Sequence, residues 1–378
     1  MTRVLPASIL ASAMTLLLTA CATASSCQTP PQLQTTPPDA LGSSLDTLLT
    51  RHHEMSAFSG GAFVTQMDRT VLRRGYGCAD RRTGTAFSPA SISDIGSVAK
   101  TFTAAAILQL DAQGQLAIDD PLTRFYPDVP DDKRTITLRQ LLTHSSGLDD
   151  FHADTDFEPM TRAQAEQRIL ALDLRFAPGD GEAYSNAGYT LLAAIVERVS
   201  GSRFQDRLRD SLLEPAGLAD TGWYGDDAID RAKLAHGYGG DTAGRTTFER
   251  PLTWALIGGG GMVSTLDDLQ AWHTALTDGR LLGVPAPRVF QSGEGRRWSL
   301  GSWRNHRLQD RAIVEMGGST DFGYTAKIQA IPSEDVLVVL LLNAYSGPQG
   351  TGIHHTLSNR VLLPAIVERE RRHDAAAD

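Results

Sequence analysis

The chain has 378 residues, of which 41% are hydrophobic and 21% are charged, as in an ordinary globular protein with a large core. Its formal net charge is −9 at pH 7, so it lacks the basic balance of proteins that bind nucleic acids. We therefore expect no nucleic-acid partner.

The N-terminal residues have the pattern of an export signal. Arg3 precedes the apolar run VLPASILASAMTLLLTA, which ends directly before Cys21. A positive residue, a short apolar region and small residues are typical of a signal peptide, predicted here over 1–20. The sequence LTAC also resembles a bacterial lipobox, which implies a lipid on Cys21, and the alternative is a signal peptide with an incidental cysteine. We predict an exported protein, lipid-anchored on the periplasmic side of a bacterial membrane, and Ala22 is compatible with the outer membrane.

Residues 21–42 predict a flexible tether. The segment ATASSCQTPPQLQTTPPDA is rich in Pro, Thr, Ser and Gln and has few apolar residues to bury. Cys27 lies in this tether, and Cys78 lies near a predicted strand end. In the oxidising compartment that export implies, the two cysteines either pair or leave Cys78 as a buried free thiol.

A globular pattern follows the tether and places strands at both ends of the chain. The segments with helical spacing are SLDTLLTRHHEM from about Leu45 with Ser43 or Ser44 as cap, Val98 to Gln113 ended by Gly114, and the closing TLSNRVLLPAIVERERRH. The segments that predict strands are the hairpin GGAFVTQMDRTVLRRGYGCAD, then WSLGSW, YTAKIQAI and DVLVVLLLN.

This order predicts an α+β fold. Early and late strands can join one antiparallel sheet, flanked by helices, if the helical middle is an inserted subdomain. We predict one domain over 43–370, with a sheet part at about 43–110 and 252–370 and a mostly helical insertion at about 111–251.

A serine and a lysine three residues apart open the predicted helix at Val98. Ser97 and Lys100 project from the same helical face, so the lysine amine can reach the serine oxygen. A serine hydroxyl needs a neighbouring base to act as a nucleophile, and a lysine can be that base only if burial leaves it neutral. A helix cap followed by a surface lysine is the alternative interpretation.

Three segments in order resemble the serine β-lactamase-related family, which includes class C β-lactamases, D-alanyl-D-alanine carboxypeptidases and serine esterases. The first is FSPASISDIGSVAKTFTAAAILQLDAQGQLAIDDPLTRFYPD, whose SVAK matches the S-x-x-K motif. The second segment is ITLRQLLTHSSGL. The last segment holds the family's second motif, Y-x-N, as Tyr184-Ser185-Asn186. The resemblance covers roughly residues 59–343 and implies the fold of that family.

The resemblance implies roles for the motif residues. Ser97 would be the nucleophile, with Lys100 and Tyr184 as the groups that move its proton. Asn186 would orient Lys100 and a substrate carbonyl. His144 suggests a serine–histidine pair, but in this family that histidine belongs to a structural turn, which is the role we expect.

The third motif departs from the family pattern. Where the family has a triplet such as K-T-G, this chain has IVEMGGST, and the best match is Met316-Gly317-Gly318 with Glu315-Met316-Gly317 as the other register. Both registers lack the cation that binds a substrate carboxylate. The backbone N–H groups of Ser97 and Ser319 would form an oxyanion hole, or Gly318 would replace Ser319 in the second register.

The missing cation bears on the substrate. A charge-assisted contact is worth about 1.5–3 kcal/mol, so β-lactams and stem peptides lose tenfold or more in binding while neutral esters and amides lose less. Arg304 and Arg307 are candidates for compensation. We expect a serine hydrolase that forms an acyl-enzyme and acts on ester, amide or weakly on β-lactam carbonyls, and the alternative is a non-catalytic or slowly acylating envelope sensor.

No cofactor or metal is expected. The histidine pairs His52-His53 and His354-His355 point to different sides of a helix and have no carboxylate or cysteine partners at ligand spacing. Glu166 and Glu249 lack the setting of a separate deacylating glutamate, so Tyr184 and Lys100 would serve both half-reactions, as the resemblance to class C enzymes and esterases implies.

Overall fold

The structure, a computed structural model, describes residues 27, 40–56, 58–239, 246–283, 296–344 and 352–368. Cys21, the predicted signal peptide and most of the predicted tether therefore lie outside the described residues. The strands are β1 Ser59–Gln66, β2 Arg69–Tyr76, β3 Cys78–Asp80, β4 Thr85–Ala86, β5 Ser93–Asp94, β6 Gly222–Trp223, β7 Met262–Ser264, β8 Arg304–Leu308, β9 Arg311–Ser319, β10 Thr325–Ile331 and β11 Val336–Ala344.

The helices lie mostly between the early and the late strands. They are α1 Ala40–Ser56, α2 Ala99–Ala112, α3 Leu138–Leu142, α4 Arg162–Ala171, α5 Asn186–Ser200, α6 Phe204–Leu208, α7 Glu214–Ala216, α8 Leu266–Thr277 and α9 Ile353–Thr356. Short 3-10 turns accompany them, and the π-helical segment Leu357–Leu362 extends α9 into a helical run that continues over 363–368.

One six-stranded antiparallel sheet joins the two ends of the chain, in the order β2-β1-β11-β10-β9-β8. The hairpin from the N-terminal part pairs with the last strand, because β1 runs antiparallel to β11 over its whole length. Smaller sheets, β3-β4 and β5-β7-β6, lie beside it. The predicted α+β fold with an antiparallel sheet and flanking helices is confirmed.

Both faces of the sheet are covered, which explains the unbroken apolar run in β11. Val338, Leu340 and Leu342 face α1 and the C-terminal helix. Val339 and Leu341 face the opposite core, which holds α2, α5 and α8. A strand buried on both faces has no polar alternation, so its sequence reads as continuous apolar residues.

Two local predictions were wrong. Helix α1 begins at Ala40 rather than near Leu45, and the Ser44 hydroxyl donates to the Ala40 carbonyl inside the helix instead of capping it. The segment WSLGSW is not a strand, because Ser302 has a left-handed backbone (φ 62°) and strand β8 begins only at Arg304.

The structure shows a disulfide where the sequence allowed either a pair or a free thiol. Cys27 and Cys78 form a disulfide with a Cα–Cα distance of 5.4 Å. The predicted tether is therefore tied to the start of β3. Within the described residues, no helix is long and apolar enough to span a membrane.

Candidate active site

Ser97 lies in a 3-10 turn, Gly96–Val98, that leads directly into α2. Gly96 has φ 49°, a left-handed conformation that glycine adopts without strain. Residues Ala99 to Leu110 of α2 are all buried, and Phe102 stacks on Trp272 of α8 with ring centroids 4.0 Å apart. The turn that presents Ser97 is thus fixed by a rigid helix in the centre of the core.

Lys100 is fully buried and makes three short polar contacts. Its Nζ donates to Asn186 Oδ1 at 2.5 Å and to the Gly259 carbonyl at 2.7 Å, and it lies 3.2 Å from Ser97 Oγ. The first two partners are acceptors only, so they take two N–H groups of the amine. In a neutral lysine, the remaining position is the lone pair, and it faces the Ser97 hydroxyl.

Burial makes that neutral form available. Removal from water lowers the pKa of Lys100 to about 7, although the carboxylates of Asp150 and Asp156 act in the opposite direction. A substantial fraction of the amine is therefore unprotonated near neutral pH. This is the condition that a lysine base must meet.

Tyr184 approaches Ser97 from the other side. Its hydroxyl donates to Ser97 Oγ at 2.6 Å. Burial raises the pKa of Tyr184, so the phenol stays protonated at neutral pH and acts as a donor. Its ring lies against His144, with centroids 4.7 Å apart.

His144 forms its hydrogen bonds with Ser185 and Ser302 rather than with Ser97. Its Nδ1 accepts the Ser185 N–H at 3.2 Å, which leaves Nε2–H to donate to Ser302 Oγ at 2.7 Å. Burial lowers the pKa of His144 well below its ordinary value, so the ring is neutral. The histidine ties the Tyr184–Asn186 segment to the loop before β8.

Asn186 begins α5 and is held by a residue that the sequence analysis missed. Asp150 Oδ1 accepts both the Asn186 backbone N–H and its side-chain Nδ2–H, each at 2.9 Å. This fixes the amide so that its oxygen faces Lys100. The carbonyl of Gly259 was missed as well, and its only signal was the run of four glycines at 258–261, which permits close backbone approach.

The end of strand β9 touches the turn that carries Ser97. A Cβ atom on Gly318 would overlap the carbonyl oxygen of Ile95 and lie 2.8 Å from the Ser97 nitrogen. A Cβ on Gly96 would lie 2.8 Å from the Ser319 nitrogen. Glycine at these two positions is what brings the backbones of Ser97 and Ser319 together.

A cavity of about 250 Å³ opens at this junction. Its lining includes Ser97, Tyr184 and the whole of Met316–Ser319, together with the partly exposed Trp298 and Arg304. The structure therefore brings together every predicted site residue except Cys21, which lies outside the described residues.

These features match a known family. The sequence profile of the family described as Beta-lactamase matches residues 45–359, so the chain belongs to that family. The resemblance of the three motifs to the β-lactamase-related serine hydrolases is confirmed.

Relatives of this chain within the family carry names for different functions. The chain is 29% identical over 257 residues to the "Putative penicillin-binding protein PbpX" of Bacillus subtilis (66% of this chain, 64% of that protein). It is 31% identical over 266 residues to a D-aminopeptidase of Brucella anthropi (68% of this chain, 48% of that protein). The match thus spans less than two thirds of either relative's length.

Solved structures agree on the fold. A D-amino acid amidase from Ochrobactrum anthropi, in complex with L-phenylalanine, superposes with a TM-score of 0.74 at 22% identity, covering 88% of this chain and all of that one. At this identity the likeness concerns the fold alone.

Proposed function

We propose that the protein is a serine hydrolase that forms an acyl-enzyme at Ser97 and acts on ester or amide carbonyls. The observation that carries this proposal is the orientation of Lys100, whose two acceptor partners leave its lone pair facing the Ser97 hydroxyl. Family membership and a relative named D-aminopeptidase support it.

In the acylation step, a bond forms between Ser97 Oγ and the substrate carbonyl carbon while the hydroxyl proton moves to Lys100. The bond to the leaving oxygen or nitrogen then breaks, and Tyr184 donates its phenolic proton to that leaving atom. Lys100 passes the proton that it took from Ser97 to the Tyr184 oxygen, which restores the phenol. In deacylation a water molecule takes the place of the leaving group, so the same steps run in reverse and restore Ser97.

The backbone contact at Gly318 supports the register Met316-Gly317-Gly318 for the third motif. In that register the N–H groups of Ser97 and Ser319 stabilise the oxyanion, and Asn186 positions the substrate. A Cβ atom on Gly317 would lie 3.1 Å from His354 Nε2, and one on Gly318 would overlap the Ile95 carbonyl oxygen, so both positions favour glycine. Met316 is buried and apolar, so the triplet supplies no charge to a substrate carboxylate. An esterase or D-amino-acid hydrolase is therefore favoured over an efficient β-lactamase.

The test is steady-state hydrolysis of a panel that contains p-nitrophenyl esters, a D-alanyl amide, a D-alanyl-D-alanine peptide and a penicillin. The proposal expects turnover of an ester or amide that is lost in Ser97→Ala. A burst of acylation with no steady turnover would instead identify a slowly acylating sensor. Silence of the whole panel together with no covalent adduct would contradict the proposal.

We further propose that the protein is exported and held at the membrane through a lipid on Cys21. The disulfide between Cys27 and Cys78 supports export, because such bonds persist in oxidising compartments. Metabolic labelling with a palmitate analogue should mark the wild-type protein and not Cys21→Ala. Equal labelling of both, or of neither, would contradict the anchor.

A further inference from the structure

An arginine that the proposed chemistry does not use lines the active-site cavity. Arg304 is the first residue of β8 and pairs in register with Glu315 of β9. It lines the same cavity as Ser97, and 42% of its side chain is exposed.

The buried charges around Arg304 cancel one another. Glu315 is buried, and its carboxylate pairs with the buried Lys327 at 2.6 Å. His355 Nδ1 lies 3.1 Å from Lys327 Nζ and accepts from it, so this ring is neutral, and burial lowers the pKa of His355 to about 4. Burial also lowers the pKa of His306, which flanks Glu315. At neutral pH the guanidinium of Arg304 is thus the net positive charge of the group.

That guanidinium is open to a ligand. Its Nη1 lies 3.8 Å from Glu315 Oε1, which is too far for a hydrogen bond. Its other neighbour is the Trp298 ring, with the centroid 5.9 Å away. Toward the residues that the structure describes, Arg304 makes an ion pair and a ring contact but no side-chain hydrogen bond.

The position of Arg304 separates it from the reacting carbonyl. Ser97 contacts β9 at Gly318, whereas Arg304 pairs with β9 at Glu315, three residues earlier. Three residues of a strand span roughly 10 Å. The Arg304 guanidinium lies 3.8 Å from the Glu315 carboxylate and beside the Trp298 ring, at the Glu315 end of this span. An anion that it binds therefore lies several bonds from the scissile carbonyl.

We propose that Arg304, with Trp298 as its wall, is an anion subsite that selects substrates carrying a carboxylate several bonds from the scissile ester or amide. This inference rests on the serine hydrolase function proposed above. A guanidinium can form two parallel hydrogen bonds to a carboxylate, which gives both affinity and orientation.

The test compares matched charged and neutral esters. In the leaving-group series, the acetate ester of 3-(4-hydroxyphenyl)propanoic acid is compared with that of its carboxamide. In the acyl series, the mono-p-nitrophenyl ester of suberic acid is compared with that of its monoamide. The variants are Arg304→Gln, Arg304→Lys and the control Arg307→Gln. Arg307, the other arginine that the sequence offered for compensation, is exposed on the same strand, donates to the Asp310 carbonyl and is not among the residues that line the cavity.

The wild-type protein should favour the charged member of at least one series. In that series the ratio of kcat/KM for the charged to the neutral ester should fall about tenfold in Arg304→Gln, recover in part in Arg304→Lys, and stay the same in Arg307→Gln. Hydrolysis of both esters with ratios unchanged in Arg304→Gln would overturn the subsite and leave the hydrolase intact. An equal fall in Arg307→Gln would also overturn it. Absence of turnover and of acyl adducts in the wild type would overturn both proposals.

Discussion

The two walls of the cavity use different parts of the chain. On the wall of Ser97, side chains from α2 and α5 and the segment before α5 form a connected set of hydrogen bonds through Lys100 and Tyr184. On the wall of Met316–Ser319, the glycines bring the backbone forward, and the one large side chain, Met316, is apolar and largely buried where it lines the cavity. The first wall is therefore specified by residue identity and the second by backbone position.

The sharpest test of this contrast replaces a serine on each wall. Ser97→Ala should lower kcat/KM by about 10³-fold or more, because the nucleophile is lost. Ser319→Ala should stay within a few-fold of wild type, because its backbone N–H remains. Ester hydrolysis by both purified variants is the measurement. Comparable losses in the two variants would remove the distinction between the walls.

The next test concerns the base. Lys100→Arg keeps a cation but cannot supply a lone pair, so we expect a loss of about 10²–10⁴-fold in kcat. Lys233→Arg, which alters a surface lysine paired with Asp220, is the control and should leave kcat unchanged. Near-normal turnover by Lys100→Arg would exclude lysine as the base. Circular dichroism of both variants checks that they fold.

The pH dependence follows from the same buried lysine. Since the pKa of Lys100 is lowered to about 7, the active unprotonated form is lost below that pH. We expect kcat/KM to fall about tenfold per pH unit below about pH 7 and to be flat above it. The pKa of Tyr184 is raised, so no descending limb should appear up to about pH 10. A rate independent of pH down to about 5 would contradict this account.

The second wall can be given the charge that it lacks. Met316→Lys should raise the rate of acylation by a penicillin about tenfold relative to a neutral p-nitrophenyl ester, through a charge-assisted contact with the carboxylate. Met316→Leu is the control for the change in packing. Stopped-flow acylation measures both substrates. A proportional change with both substrates would show that position 316 does not meet the carboxylate.

The smallest expected effect comes from a variant that distinguishes two roles of Asp150, the orientation of Asn186 and the charge that acts on Lys100. Asp150→Asn keeps an oxygen that can accept both N–H groups of Asn186 but removes the charge that raises the pKa of Lys100. The value of kcat/KM in the flat region above about pH 7 should change by less than about threefold. The pH below which kcat/KM falls should be lower than in the wild type. Asp149→Asn, at the exposed neighbouring position, should leave the limb in place. A shift of this acidic limb to higher pH, or an equal shift in both variants, would contradict this role of Asp150.

Local spacing explains how much of the site the sequence could predict. Ser97 and Lys100 lie three apart on one helix, and Tyr184 with Asn186 stands at the start of another, so motif and periodicity identify them. Asp150, Gly259 and the Glu315–Lys327 pair reach the site through packing of distant segments. Such contacts leave no local pattern in the sequence.

The same distinction holds for the fold. The apolar runs of β10 and β11 predicted strands, and the strands at both ends of the chain predicted one sheet. The segment WSLGSW was misread because a left-handed residue, Ser302, interrupts what its apolar side chains suggested. The sequence does not decide whether Cys27 and Cys78 pair, because two cysteines 51 residues apart carry no sign of their proximity.

The most direct test of the central claim is mass spectrometry of the purified protein quenched in acid during turnover of a slowly hydrolysed ester. We expect a mass increase equal to the acyl group, located on the peptide that contains Ser97 and absent from Ser97→Ala. Turnover with no adduct on that peptide, or an adduct that persists in Ser97→Ala, would contradict it.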